Sequence, residues 1–300
     1  MRASTPSVRR AALALTAVAT AACSDASAPL SPGTRAPDRA VDQELPLTSG
    51  RWTGERTLAV DGTTLHARLA QPRGAERAGG APTVVFLSGL DAELTDWHAV
   101  QPAVATLGAR AFAYDRAGVG RSGAHSGARP SSVVAGELRA ALAAAGLRPP
   151  YVLVAHSLGG FHARVFAQRF PRDVAGLVLV DASLEQKFAQ LDPAADELIA
   201  GSVRFPGAAA EVLARPQTLD EVFAARFPDA PLAVISSLRP EEGETPADKA
   251  EDYRQRDVWV RQVRTGLHFT TDAGHQVPLA APGEVVRAVR WVLDRARRER

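Results

Sequence analysis

From residue 51 to the C-terminus the apolar positions switch repeatedly between two spacings, and the switching predicts a layered α/β fold. Thr57 to Val60 and Thr64 to Leu69 are strand-like and flank Asp61-Gly62, a hairpin signal. After a Gly-rich stretch at residues 74 to 80, strand-like runs and helix-like runs alternate. Strands are predicted at Thr83 to Leu87, Arg110 to Asp115, Tyr151 to Val154, Val174 to Asp181, Pro231 to Ser236 and His268 to Thr271. Helices are predicted at Trp97 to Leu107, Ser131 to Ala145, Gly160 to Pro171, Ala247 to Arg264 and Glu284 to Arg297. Apolar runs that do not alternate belong to strands buried on both sides, so this order specifies a mostly parallel sheet covered by helices on both faces. Between Leu184 and Phe227 the β-branched runs vanish. Helical fragments broken by Pro193, Pro206 and Pro216 replace them, predicting a helical lid over the strand ends at about residues 183 to 229.

The first 50 residues follow neither spacing. Arg2, Arg9 and Arg10 precede an apolar stretch of small residues, Ala11 to Ala22, too short to span a bilayer as a helix. Residues 1 to 22 therefore read as an export signal peptide. Thr20-Ala21-Ala22-Cys23 resembles a bacterial lipobox, which implies a lipid anchor on Cys23 and a place in the bacterial cell envelope; ordinary cleavage near Ala19 to Ala22, giving a periplasmic protein, is the alternative. Cys23 is the only cysteine, so neither an internal disulfide nor a cysteine-based metal site is available. Residues 23 to 50, rich in Ser, Ala and Pro, read as a tether to a folded domain spanning residues 51 to 300.

Composition narrows the function. A hydrophobic content of 46% suits a large single core. Removing residues 1 to 22 takes away three of the 35 basic residues, leaving 32 against 33 acidic, a net charge of −1. That balance offers no electrostatic basis for binding nucleic acid or an anionic surface, so any membrane association is expected through Cys23 alone. The histidines have no ligand spacing, and no metal or organic cofactor is expected.

The chemistry centres on Tyr151-Val152-Leu153-Val154-Ala155-His156-Ser157-Leu158-Gly159-Gly160, a short apolar run that stops at a hydroxyl and continues at helical spacing through Phe161, Val165 and Phe166. Strand, sharp turn and helix with a serine at the apex make a nucleophile elbow, which needs small residues two before and two after the serine. Here they are Ala155 and Gly159, a methyl standing where the first glycine usually does. The turn exposes the Ser157 hydroxyl and aims the Leu158 N–H, at the helix N-terminus, toward an oxyanion.

With this elbow, residues 51 to 300 resemble the α/β-hydrolase fold family, and in particular its esterase-like serine hydrolases. The resemblance implies an eight-stranded, mostly parallel sheet with the lid after the sixth strand. Three further stretches carry it. Val84-Val85-Phe86-Leu87-Ser88-Gly89-Leu90 resembles the family's oxyanion loop, with Ser88 in place of the more usual histidine, and implies the Leu90 N–H as second oxyanion donor. Asp115-Arg116-Ala117-Gly118-Val119-Gly120-Arg121-Ser122 resembles the D-x-x-G-x-G-x-S turn, in which Asp115 is expected to cap rather than to touch substrate. Gly274-His275 resembles the loop bearing the catalytic histidine, in the order Ser, acid, His. Of the other histidines, His66, His156 and His162 are expected to be core or surface residues, while His98 and His125 lie on loops that could approach the pocket.

The acid is less direct. The usual place after the strand beyond the lid reads Ser236-Ser237-Leu238-Arg239-Pro240, with no aspartate. Glu241, Glu242 and Glu244 are near, though a run of acids beside a proline turn also reads as a solvated loop. Some relatives carry the acid after the preceding strand, which Asp181 ends. Asp181 is the preferred candidate; turn capping is its other reading.

These residues imply a serine hydrolase cleaving carboxylic esters or lactones through an acyl-enzyme, acting on a small, moderately hydrophobic molecule. An amidase or aminopeptidase would use the same residues, and a non-catalytic ligand-binding relative is a further alternative.

Overall fold

A computed structural model describes residues 52–72 and 81–298. The export-signal segment, the tether with Cys23 and the Gly-rich stretch at 74 to 80 lie outside the described residues. The hairpin comes first: β1 (Gly54–Val60) and β2 (Thr63–Ala70) pair antiparallel in register across a turn in which Asp61 and Gly62 take φ of 46° and 82°. Two successive left-handed residues match the twist of a two-residue hairpin.

Next in the chain come β3 (Thr83–Leu87), α1 (Val100–Ala105), β4 (Ala111–Tyr114), α2 (Ser131–Ala144), β5 (Tyr151–His156), α3 (Gly159–Arg169) and β6 (Val174–Val180). Four helices then intervene: α4 (Glu185–Ala189), α5 (Ala194–Ala200), α6 (Pro206–Leu213) and α7 (Arg215–Ala224). The sheet resumes with β7 (Leu232–Ser237), α8 (Pro246–Arg261) and β8 (Gly266–Thr271), and the chain closes with α9 (Val277–Ala280) and α10 (Pro282–Ala296). The eight strands lie in the order β1-β2-β4-β3-β5-β6-β7-β8, antiparallel at β1–β2 and β2–β4 and parallel from β4 through β8.

Why the strands read as unbroken apolar runs is visible in the two cores. Val84, Phe86, Val152, Val154, Val178 and Val180 face one side, under α1 and the apolar stripe Val285, Val289 and Val292 of α10. Their immediate neighbours Val85, Leu87, Leu153, Ala155, Leu177 and Leu179 face the other, under α2, α3 and Trp259 of α8. In these central strands nearly every residue is buried whichever way it points, so period-two alternation is erased.

One helix starts later than its apolar pattern suggests. The Trp97 to Leu107 stretch resolves into a single 3₁₀ turn, Leu94–Trp97, followed by α1 from Val100. Pro102 has no N–H to donate, which is harmless only in a first helical turn, and Asp115 Oδ1 accepts the Leu94 N–H at 2.7 Å to hold the separate turn.

Candidate active site

The elbow forms as the small residues require. Ser157 takes a φ of 51°, a left-handed conformation that a serine adopts only when its surroundings impose it. A Cβ added at Gly159 would lie 2.5 Å from the Leu87 carbonyl oxygen, so that position admits only glycine. Ala155, by contrast, is fully buried between Leu87 of β3 and Leu179 of β6, and its methyl belongs to the core. The Ser157 N–H donates to Val180 O at 3.2 Å, and Ser157 O accepts from Gly160 and Ser183 at 2.9 and 3.0 Å. Those bonds fix the turn to the end of β6.

Asp181 directly follows β6, and its φ of 39° turns the chain out of the strand there. Asp181 Oδ2 lies 2.7 Å from His275 Nδ1, and His275 Nε2 lies 2.9 Å from Ser157 Oγ. A carboxylate can only accept, so Nδ1 carries the proton and the bare Nε2 faces the hydroxyl. The other oxygen, Oδ1, accepts from Arg256 Nη1 at 2.6 Å and from the Ser237 N–H at 3.1 Å. Burial opposes the charge on Asp181, but the Arg256 guanidinium, His275 and the more distant Lys249 outweigh it and hold the carboxyl well below the usual carboxylate range. Arg256 also donates from Nε to Ala182 O at 2.9 Å, which aligns its fork with the turn.

The three glutamates go elsewhere. Glu241 Oε1 accepts the backbone N–H of His275 at 2.8 Å, Glu242 is exposed, and Glu244 pairs with Lys249 at 2.8 Å. None of their carboxylates is bonded to the His275 ring. On the other side of the same loop His156 Nε2 lies 2.8 Å from His275 O; a carbonyl only accepts, so this nitrogen donates. Burial, reinforced by the neighbouring His275, pushes His156 down to about 3, keeping it neutral. The loop is thus gripped at both its N–H and its C=O.

The stretch after β3 is braced by Ser88, whose hydroxyl donates to Glu93 O at 3.0 Å and accepts from Trp97 Nε1 at 2.9 Å. Leu90 and Leu158 line a small cavity whose walls include Phe161 of α3 and Phe188, Ile199 and Val212 of the inserted helices, with Asp196, Glu211 and Arg215 also at its border. Asp115 binds the Leu94 and Arg121 N–H groups and lies 2.8 Å from His66 Nδ1, so it caps turns as expected. His162 is buried against Ser131 Oγ at 2.8 Å, while His98 and His125 are exposed and bond to none of these groups. Arg256 and the grip of His156 and Glu241 on the His275 loop are the parts that sequence reading missed. No local pattern marks them: Arg256 lies 75 residues beyond Asp181, and His156 is 119 residues before His275.

Residues 82–264 match the model of the family described as the alpha/beta hydrolase fold. The chain belongs to that family. An uncharacterized protein of Bacillus subtilis (strain 168), YqjL, is 31% identical over 132 residues, which is 43% of this chain and 49% of that one. This chain spans about half the length of the curated relatives it matches. Among solved structures, a thermophilic esterase from Thermogutta terrifontis superposes with a TM-score of 0.62 at 18% identity, covering 82% of this chain and all of that one. A haloalkane dehalogenase variant from Bradyrhizobium elkanii superposes with 0.61 at 17% identity, covering 82% of this chain and 98% of the other. An ester-cleaving and a halide-releasing enzyme fit equally well, so these likenesses carry the alpha/beta hydrolase fold and not the bond that is broken.

Proposed function

We propose that this protein cleaves carboxylic esters, lactones among them, through an acyl-enzyme on Ser157. One observation carries the reading: Ser157 Oγ, His275 and Asp181 form one hydrogen-bonded line with steps of 2.9 and 2.7 Å at the ends of β5, β6 and β8. A serine at the elbow separates this chemistry from halide or epoxide cleavage, which in similar folds uses an aspartate nucleophile. Ser157 Oγ attacks the carbonyl carbon while its proton passes to His275 Nε2. Asp181 holds the Nδ1–H tautomer and stabilises the imidazolium. The Leu90 and Leu158 N–H groups receive the negative charge that develops on the carbonyl oxygen. Collapse expels the alcohol, which takes the proton from Nε2. Water then repeats the sequence on the acyl group, releasing the acid and restoring the Ser157 hydroxyl.

The apolar lining around Leu90, Leu158 and Phe161 supports a moderately hydrophobic substrate, with helices α4 to α7 acting as its lid. Hydrolysis of p-nitrophenyl esters of increasing chain length, and of a matching set of lactones, by the purified protein tests the reading. Turnover abolished by Ser157→Ala is the expected result. Unchanged turnover in that variant, or none in the native protein with any ester or lactone of the series, overturns it.

A further inference from the structure

The Gly89–Leu90 peptide is held at its carbonyl end by a buried arginine. Arg116, 2% exposed, donates from Nη2 to Gly89 O and from Nη1 to Ser88 O, both at 2.8 Å. A peptide unit is planar, with C=O and N–H pointing in opposite directions, so fixing Gly89 O fixes the direction of the Leu90 N–H. The bond is also charge-assisted. Withdrawing electron density through the carbonyl makes the N–H at the other end of the same unit a stronger donor.

What holds the arginine comes from the insertion. Glu211 of α6, also buried, accepts from Arg116 Nε at 2.7 Å and Nη2 at 3.1 Å. Burial opposes the charge on Glu211, but Arg116 first and His162 next keep its carboxyl well below the usual range. Arg129 and His162 stand behind it, each 3.6 Å from the carboxylate, so Arg116 is the partner that makes close bonds to it. The residue after Leu90 is fixed as well. Asp91 has a φ of 54°, and its carboxylate accepts the N–H groups of Arg204 and Phe205 at 3.0 Å, at the start of α6.

We propose that Arg116 is a positioning residue for the oxyanion hole: its guanidinium orients and polarises the Gly89–Leu90 peptide, and Glu211 of the inserted helix α6 sets the guanidinium in place. The inference rests on the acyl-enzyme reading given above, in which the Leu90 N–H meets the oxyanion. On that reading the insertion does more than cover substrate, since one of its helices completes the donor that the transition state uses.

The test compares native protein with Arg116→Met and with the double variant Arg116→Met/Glu211→Gln. The double variant is included because a lone Glu211 charge left buried would itself destabilise the fold. kcat and KM for a p-nitrophenyl ester are measured beside the inhibition constant of a trifluoromethyl ketone, which forms a tetrahedral alkoxide on the nucleophile. Expected is a fall in kcat of about 10- to 100-fold, less than the ~10²–10³-fold of deleting a donor outright, with KM unchanged within about two-fold. The ketone's affinity falls by the same factor as kcat/KM. A merely structural role would lower the melting temperature without this parallel loss. A folded double variant with native kcat and native ketone affinity overturns the proposal. If the native protein hydrolyses no ester, it is the acyl-enzyme reading that fails, and the Leu90 amide resonance of ¹⁵N-leucine-labelled protein decides on Arg116: a large upfield move of that proton in the double variant supports the polarisation, and no move refutes it.

Discussion

At Asp181 the two carboxylate oxygens divide two tasks: Oδ2 meets the imidazole at 2.7 Å while Oδ1 takes Arg256 at 2.6 Å. Removing the charge alone therefore tests the first task with little change in shape. Asp181→Asn is expected to lower kcat by about 10³–10⁴-fold, since an amide stabilises the wrong tautomer. Glu241→Gln, which leaves an oxygen able to accept the His275 N–H, is expected to cost less than about ten-fold; the reverse order in an ester assay would make Glu241 the acid. Arg256→Met leaves the buried Asp181 charge without its cation and is expected to cost about 3–5 kcal/mol in a urea melt. Asp181 could be chosen from sequence because it ends a strand while the usual place reads Ser236-Ser237. Its cation could not, because α8 meets β6 only through the packing of the sheet.

Helix α6 is pinned to the Asp115–Ser122 turn at its first residues. The Gly207 N–H donates to Gly118 O at 2.9 Å, and a Cβ at Gly207 would lie 2.2 Å from Ala117 O, backbone that cannot step aside. Gly207→Ala is accordingly expected to destabilise by about 1–3 kcal/mol or more, read from the urea midpoint, whereas Gly243→Ala, a turn glycine with no atom within 4 Å of an added Cβ, is strained only by its φ of 81° and serves as the comparison. The strands and the longer helices were legible in the sequence because burial on one or both sides writes itself into apolar spacing. The insertion was legible only as broken helical fragments. Its contacts with Asp91, Arg116 and Gly118 join residues some 90 to 110 positions apart, and no periodicity encodes such pairings. The later start of α1 was readable in principle from Pro102, but the apolar Trp97 and Val100 disguised it as one helix.

For the molecule as a whole, buried groups with displaced titrations set the acid limit. His156 binds a proton only near pH 3 when folded, against 6.5 in an unfolded chain. Between those values the unfolded state holds more protons, so stability is complete above about 6.5 and falls as pH drops toward 3. Asp181 and Glu211, held low, add a second loss that begins below about pH 4. Urea melts from pH 7.5 to 4 are expected to show this decline, and His156→Gln, whose amide can still donate to His275 O, is expected to flatten it by up to roughly 1.4 kcal/mol per pH unit. A variant with the native slope would count against a neutral buried His156.

Ser157 and Asp181 follow the neighbouring inner strands β5 and β6, whereas His275 follows β8, the outermost strand on its side of the sheet. Outer strands open before inner ones. Hydrogen exchange is therefore expected to reach residues 266 to 276 well before 151 to 157 or 174 to 181, with activity lost in step with the former. Heat is then expected to silence turnover reversibly: Ser157 and Asp181 stay in place while His275 leaves with β8, and cooling restores the hydrogen-bonded line before the inner strands have opened.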